Sequence, residues 1–156
     1  MKKFSLPEAL GKIQRYCAYQ ERCHQEVKNK LFEFGLYSDQ VNEVISELIT
    51  NGFLNEERFA RAFAGGKFRM KKWGRIKIVN ELESKGVSVN CIRLGLKEID
   101  ENDYQKVLSE IVLKKGDAIA EENLFTKRDK ISKYAIQKGY EPEIVWKTIK
   151  QFFPDR

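Results

Sequence analysis

The chain has 156 residues, of which 42% are apolar and 33% charged, and its formal net charge is +6. That balance excludes an intrinsically disordered chain, and the lack of any apolar run near 18 residues excludes a membrane-spanning helix. An excess of base suits a polyanionic partner or an acidic protein surface.

The three cysteines are Cys17, Cys23 and Cys91. An odd count, with no apolar run after the N-terminal lysines, points to free thiols, no secretory signal and a cytoplasmic location. Apolar residues recur at three- and four-residue spacing almost throughout, and alternating strand patterns are missing. The chain therefore reads as all-α.

Ser5 begins the first helix, with Glu8 completing a capping box. Leu6, Leu10, Ile13 and Cys17 form its apolar stripe, and Lys12, Arg15, Tyr19 and Arg22 a second, basic and aromatic one. A helix from about Cys23 to Phe34 turns Val27, Leu31 and Phe32 inward and ends at Gly35. Ser38 caps a third helix, with Val41, Val44, Ile45, Leu48 and Ile49 buried.

Asn55 caps the next helix, and Glu56 and Glu57 suit its positive end. It runs to about Trp73. A short helix with Ile78, Val79 and Leu82 ends at Gly86, and Ser88 caps another with Val89, Ile92, Leu96 and Ile99. Asn102 or Asp103 opens the last third, with Tyr104, Val107, Leu108 and Ile111 inward and Gly116 ending or bending the helix. Thr126 caps a helix with Ile131, Ala135 and Ile136, closed by Gly139. Pro142 starts the final one, with Val145, Ile149 and Phe152 inward.

Gly35, Gly86 and Gly139 stand 51 and 53 residues apart, each closing the middle helix of a three-helix set. The plan is a threefold repeat over residues 1–53, 54–101 and 102–156. One unit of that size is marginal alone, so three tandem units are expected to pack end to end in an elongated, curved molecule.

Residues 58 to 77 carry eight basic side chains and no acid: Arg58, Arg61, Lys67, Arg69, Lys71, Lys72, Arg75 and Lys77. On a helical wheel Phe59, Phe63, Met70 and Trp73 form a core stripe, flanked by the charges. Phe68 falls opposite. Either it projects among the charges to stack a base or enter a partner's groove, or Gly65-Gly66 kinks the helix and returns it to the core. This run is the main candidate for binding a partner; Lys12, Arg15, Tyr19 and Arg22 are the second. Lys127, Arg128, Lys130, Lys133 and Lys138 are basic too, but Glu121, Glu122 and Asp129 dilute them. Catalysis finds no support. His24 beside Cys23 lacks the further ligands of a zinc site, and Gly65-Gly66 lacks phosphate-loop spacing.

The stretch from Leu54 to Val87 resembles the regulatory protein RecX family. Leu54, Glu56, Glu57, Arg58, Phe59, Ala60, Gly74, Lys77, Ile78, Glu81, Leu82, Lys85, Gly86 and Val87 carry the resemblance. Gln20-Glu21-Arg22-Cys23 departs from the family's usual Arg-Glu-(Arg/His)-Ser, and Lys77 stands where arginine is common. The resemblance implies three tandem three-helix repeats and no enzyme activity or cofactor. It implies a negative regulator of the RecA recombinase that binds the RecA–single-stranded DNA filament and limits its extension, ATPase and strand exchange. A monomer is expected. The alternatives are a general single-stranded nucleic-acid-binding protein and a helical scaffold for another acidic protein.

Overall fold

The computed structural model describes residues 3–120 and 122–155; the N-terminal Met1 and Lys2, and Glu121 of the basic last third, lie outside them. Among the described residues the backbone forms nine α-helices and no strand, in three successive sets of three. They are α1 (Leu6–Tyr19), α2 (His24–Glu33), α3 (Ser38–Thr50), α4 (Glu56–Lys71), α5 (Arg75–Ser84), α6 (Val89–Leu96), α7 (Glu101–Ala118), α8 (Leu124–Gln137) and α9 (Pro142–Phe152). The chain divides into two compact units, Met1–Ala62 with Leu82–Gly95, and Phe63–Glu81 with Leu96–Arg156.

In the first unit α1, α2 and α3 pack on one another. Their apolar spacing fills one core: Ala9, Ile13 and Cys17 from α1, Val27 and Leu31 from α2, Val41, Val44 and Leu48 from α3, closed by Leu36 and Leu54. Each fully buried Leu, Ile or Val contributes on the order of 1.5–3 kcal/mol. Phe32 and Ile49, expected inward, are exposed because each lies one position past the stripe its helix buries.

The starts of α1, α2 and α3 share one device. Glu8, Glu26 and Gln40 reach back to accept from the backbone N–H of Ser5, Cys23 and Tyr37. Ser38 is therefore the first residue of α3, and Tyr37 occupies the cap. The other expected caps shift similarly where an earlier oxygen reaches the third backbone N–H. Asp100 accepts from Asp103 at 3.0 Å and Asn123 from Thr126 at 3.0 Å. Asn55 and Ser88 cap as expected, accepting from Arg58 and Cys91. Gly116 does not end α7, which continues to Ala118.

In the second unit α7, α8 and α9 pack on one another around Leu108, Val112, Ile131, Ala135, Val145 and Ile149. An aromatic row joins them. Phe68 lies 5.7 Å from Tyr104, and Tyr104 5.0 Å from Tyr140, between ring centres.

Helix α4 passes unbroken through Gly65-Gly66. Its burial does not follow one stripe. The portion in the first unit buries Phe59 and Ala60, and the portion in the second buries Ala64, Gly65 and Phe68. A wheel drawn for a single core therefore misassigns two residues. Phe68 is 6% exposed and packs on Tyr104, whereas Met70 is 86% exposed.

After α4 the chain closes tightly. Lys72 takes a left-handed conformation, φ +58°, while Lys72 N–H donates to Phe68 O and Trp73 N–H to Lys67 O. These two bonds close the end of the helix on the Phe68 and Lys67 carbonyls. The Tyr140 hydroxyl donates to Lys72 O at 2.8 Å. Gly74 N–H then donates to Lys138 O at 2.8 Å and Ile76 N–H to Gly139 O at 2.9 Å. Two backbone hydrogen bonds thereby fix the loop after α8 against the start of α5.

Candidate nucleic-acid interface

In the first unit the second basic stripe becomes a shallow cleft of about 410 Å³. Positions 12, 15, 16 and 19 share one face of α1, and Lys30 of α2 and Phe34 complete the wall. Arg22, just past α1, lies with its guanidinium 3.7 Å from the centre of the Tyr16 ring and donates to Tyr16 O at 3.0 Å. Lys30 Nζ is 5.6 Å from the same ring, and Lys12 Nζ is 4.7 Å from that of Phe4. Phe4 meets Phe34 edge-on at 5.4 Å. Burial pushes the Tyr16 phenol up, partly opposed by Arg22, so the ring stays neutral among the cations. Tyr19 is 82% exposed at the rim.

Four cations and three or more ring faces with no carboxylate in the lining suit a phosphate backbone carrying stackable bases. Lys12, Arg15, Tyr19 and Arg22 are thus brought together as the sequence indicated. Tyr16 and Lys30 were missed. Tyr16 stands at i+4 from Lys12, so its spacing carried the signal, but Lys30 belongs to another helix and had none.

The run from 58 to 77 separates into anchors and exposed charges. In the first unit, Arg58 pairs with Glu21 and donates to Gly52 O at 2.9 Å, tying α4 to the end of α3. Arg61 pairs with Glu57 one turn away at 3.0 Å. In the second unit, Arg75 pairs with Glu141 at 2.9 Å and with Glu101, and stacks 3.9 Å from the centre of the Tyr104 ring. These arginines serve the fold. Their acids lie up to 66 residues away, which is why an acid-free window of sequence looked unpaired.

Arg69, Lys71 and Lys72 are exposed, with Met70 between them. Lys67 and Lys77 hold their ammonium groups 5.1 and 4.7 Å from the Trp73 ring centre, clamping it from two helices. Trp73 meets Phe63 at 6.3 Å. Phe68 offers no ring to a ligand, because it lies in the aromatic row of the core.

His24 Nδ1 lies 3.8 Å from a Glu56 carboxylate oxygen, and burial pushes the Cys17 and Cys23 thiols up. A thiol held in its neutral form is a poor nucleophile. Among the described residues no group of three or more His, Cys, Asp or Glu converges, and no helix is long and apolar enough to cross a membrane.

Residues 55–96 match the family model described as RecX, second three-helix domain. The chain is 26% identical over 146 residues to the regulatory protein RecX of Prosthecochloris aestuarii, covering 92% of this chain and 93% of that one. It is 29% identical over 131 residues to the regulatory protein RecX of Lactococcus lactis subsp. cremoris, where it spans about half (48%) of the relative's length. In fold it is similar to the crystal structure of RecX from Lactobacillus salivarius, with a TM-score of 0.85 at 20% identity over 94% of this chain and 95% of that one. The helical sets, the matched middle domain and these relatives together make the chain similar to the RecX family of regulatory proteins.

Proposed function

We propose that this chain is a negative regulator of the RecA recombinase, binding the RecA–single-stranded DNA filament and restraining its extension, ATPase and strand exchange in the cytoplasm. The observation that carries the reading is the acid-free cleft of Lys12, Arg15, Tyr19, Arg22 and Lys30 on a chain similar to that family. Arg69, Lys71 and Lys72 supply further exposed charge. In this reading repeats 1–53, 54–101 and 102–156 act as one monomeric binding array, stoichiometrically and without turnover. Such a protein shifts the filament only if it binds one filament state more tightly than another.

The test is RecA ATPase on single-stranded DNA with sub-stoichiometric protein added. A fall in rate and in filament length is expected; unchanged rate and length would sink the proposal. Two charge-reversal variants divide the surface. Lys12→Glu/Arg15→Glu and Arg69→Glu/Lys71→Glu/Lys72→Glu should each weaken filament binding with helicity intact. For every phosphate no longer neutralised, the salt slope of single-strand binding should fall by about 0.7. Binding to bare DNA that is equal with and without RecA would favour the general nucleic-acid reading, to which the exposed Tyr19 also lends itself.

A further inference from the structure

The second unit holds a cleft of about 290 Å³ between α7 and α8 that neither the acid-free run nor the repeat pattern points to. Lys114 and Lys115 line it from α7, Lys138 from the end of α8, and Lys72 from the turn after α4. No carboxylate lines it. Its base is apolar, with buried Ile111 beneath, and the Tyr134 ring forms one wall. Lys115 Nζ is 4.5 Å and Lys138 Nζ 5.6 Å from the centre of that ring.

Two features make this more than a solvated charge cluster. Lys72 occupies a left-handed backbone conformation that a residue with a side chain rarely adopts. It is retained there because the Tyr140 hydroxyl holds Lys72 O, and this fixed turn brings its side chain to the cleft. The cations also surround an apolar recess rather than a flat face. A bare inorganic anion would use the lysines and leave the recess wet. A ligand with charge at one end and a flat ring at the other uses both.

We propose that this cleft binds a nucleoside phosphate, its phosphates among Lys72, Lys114, Lys115 and Lys138 and its ring against Tyr134 over Ile111. The ligand is either a free nucleotide or one nucleotide of a single strand; the recess has room for a single ring-bearing unit. The inference does not depend on the recombinase reading, since it needs no partner protein and shares only Lys72 with that surface.

The experiment follows backbone amide NMR shifts in the full chain as ATP, adenosine or inorganic pyrophosphate is added. ATP is expected to shift α7 and α8 saturably, with adenosine and pyrophosphate each binding more weakly. Lys114→Glu/Lys115→Glu should weaken ATP by at least about tenfold, the worth of one or two charge-assisted hydrogen bonds. Tyr134→Ala, at a partly exposed position, should weaken ATP but leave pyrophosphate unchanged. Lys12→Glu/Arg15→Glu in the first unit should leave ATP unchanged. A 5′-phosphorylated thymidine oligonucleotide in place of ATP separates the sources: tighter binding of the oligonucleotide identifies a strand, tighter binding of ATP a free nucleotide. Shifts confined to the surroundings of Lys12 and Arg15 would overturn the proposal. So would ATP affinity untouched in Lys114→Glu/Lys115→Glu, or pyrophosphate bound as tightly as ATP.

Discussion

Alanine at Gly74 should cost the second unit at least about 3 kcal/mol, the upper range for overpacking once two backbone hydrogen bonds are also displaced. A Cβ there would lie 2.2 Å from Gly139 C and 2.3 Å from Tyr140 N. Both neighbours are backbone, so no rotamer change relieves the clash. The segments must separate, which breaks the bonds from Gly74 N–H to Lys138 O and from Ile76 N–H to Gly139 O. It also removes the Tyr140 hydroxyl from Lys72 O. Gly66→Ala is the matched control. A Cβ there meets nothing within 4 Å, and the residue is inside α4, so alanine should stabilise by up to about 1 kcal/mol. Urea unfolding of the two variants tests the pair. A Gly74→Ala variant as stable as the parent would contradict the close crossing.

The second large effect is expected at Arg75. Its side chain is 19% exposed and joins α5 to α7 and α9 through Glu101, Glu141 and the Tyr104 ring. The Tyr104 hydroxyl accepts from Arg75 N–H at 3.0 Å and donates to Glu141. Arg75→Ala leaves the half-buried Glu141 with the phenol alone and removes the stack, a loss of about 2–4 kcal/mol. Arg75→Lys keeps the charge but not the planar fork, and should recover only part of that. Thermal unfolding gives the order, and a double-mutant cycle with Glu141→Gln isolates the pair. Arg75→Ala should bind DNA as the parent does wherever it is folded. A binding loss without a stability loss would return Arg75 to the interface.

The same knot fixes the sign of an alkaline effect. Burial, and for Tyr104 also its hydrogen bond to Glu141, raises the Tyr104 and Tyr140 phenols above their ordinary value of 10.0. Both are neutral in either state below about pH 10, so their contribution is intact there. Above it the unfolded chain ionises first, and stability falls as pH rises towards the folded values. Tyr104→Phe should flatten the upper limb of a stability–pH curve measured by urea midpoint.

What the sequence disclosed follows from how local each signal is. Ser5 with Glu8, Asn55 before Glu56, Pro142, and the glycines at 35, 86 and 139 act within one turn, and each appears where its spacing indicated. Met70 was misplaced and Phe68 left undecided because a wheel assumes one partner along a helix, and α4 contributes to two units. Arg58 and Arg75 read as free charge because Glu21, Glu101 and Glu141 are remote in sequence. Lys114 and Lys115 escaped notice for the converse reason. A charge count along the last third averages α7 and α8, whereas the cleft selects only their facing sides.

The glycines that close the middle helices differ in how replaceable they are. Gly35, Gly86 and Gly139 all have positive φ. Asn and Asp tolerate that conformation best among other residues. A glycine codon ending in U or C lies one base from an aspartate codon and two from an asparagine codon, and one ending in A or G lies one base from a glutamate codon. At Gly86, with open space around it, an aspartate reached by a single base change has room. At Gly35 the Lys3 side chain must first move aside. At Gly139 a Cβ would stand 2.4 Å from Lys77 Cβ and 2.7 Å from Lys77 N, so no side chain fits. Random mutation should therefore spread first at 86, then at 35, and leave 139 untouched among surviving variants.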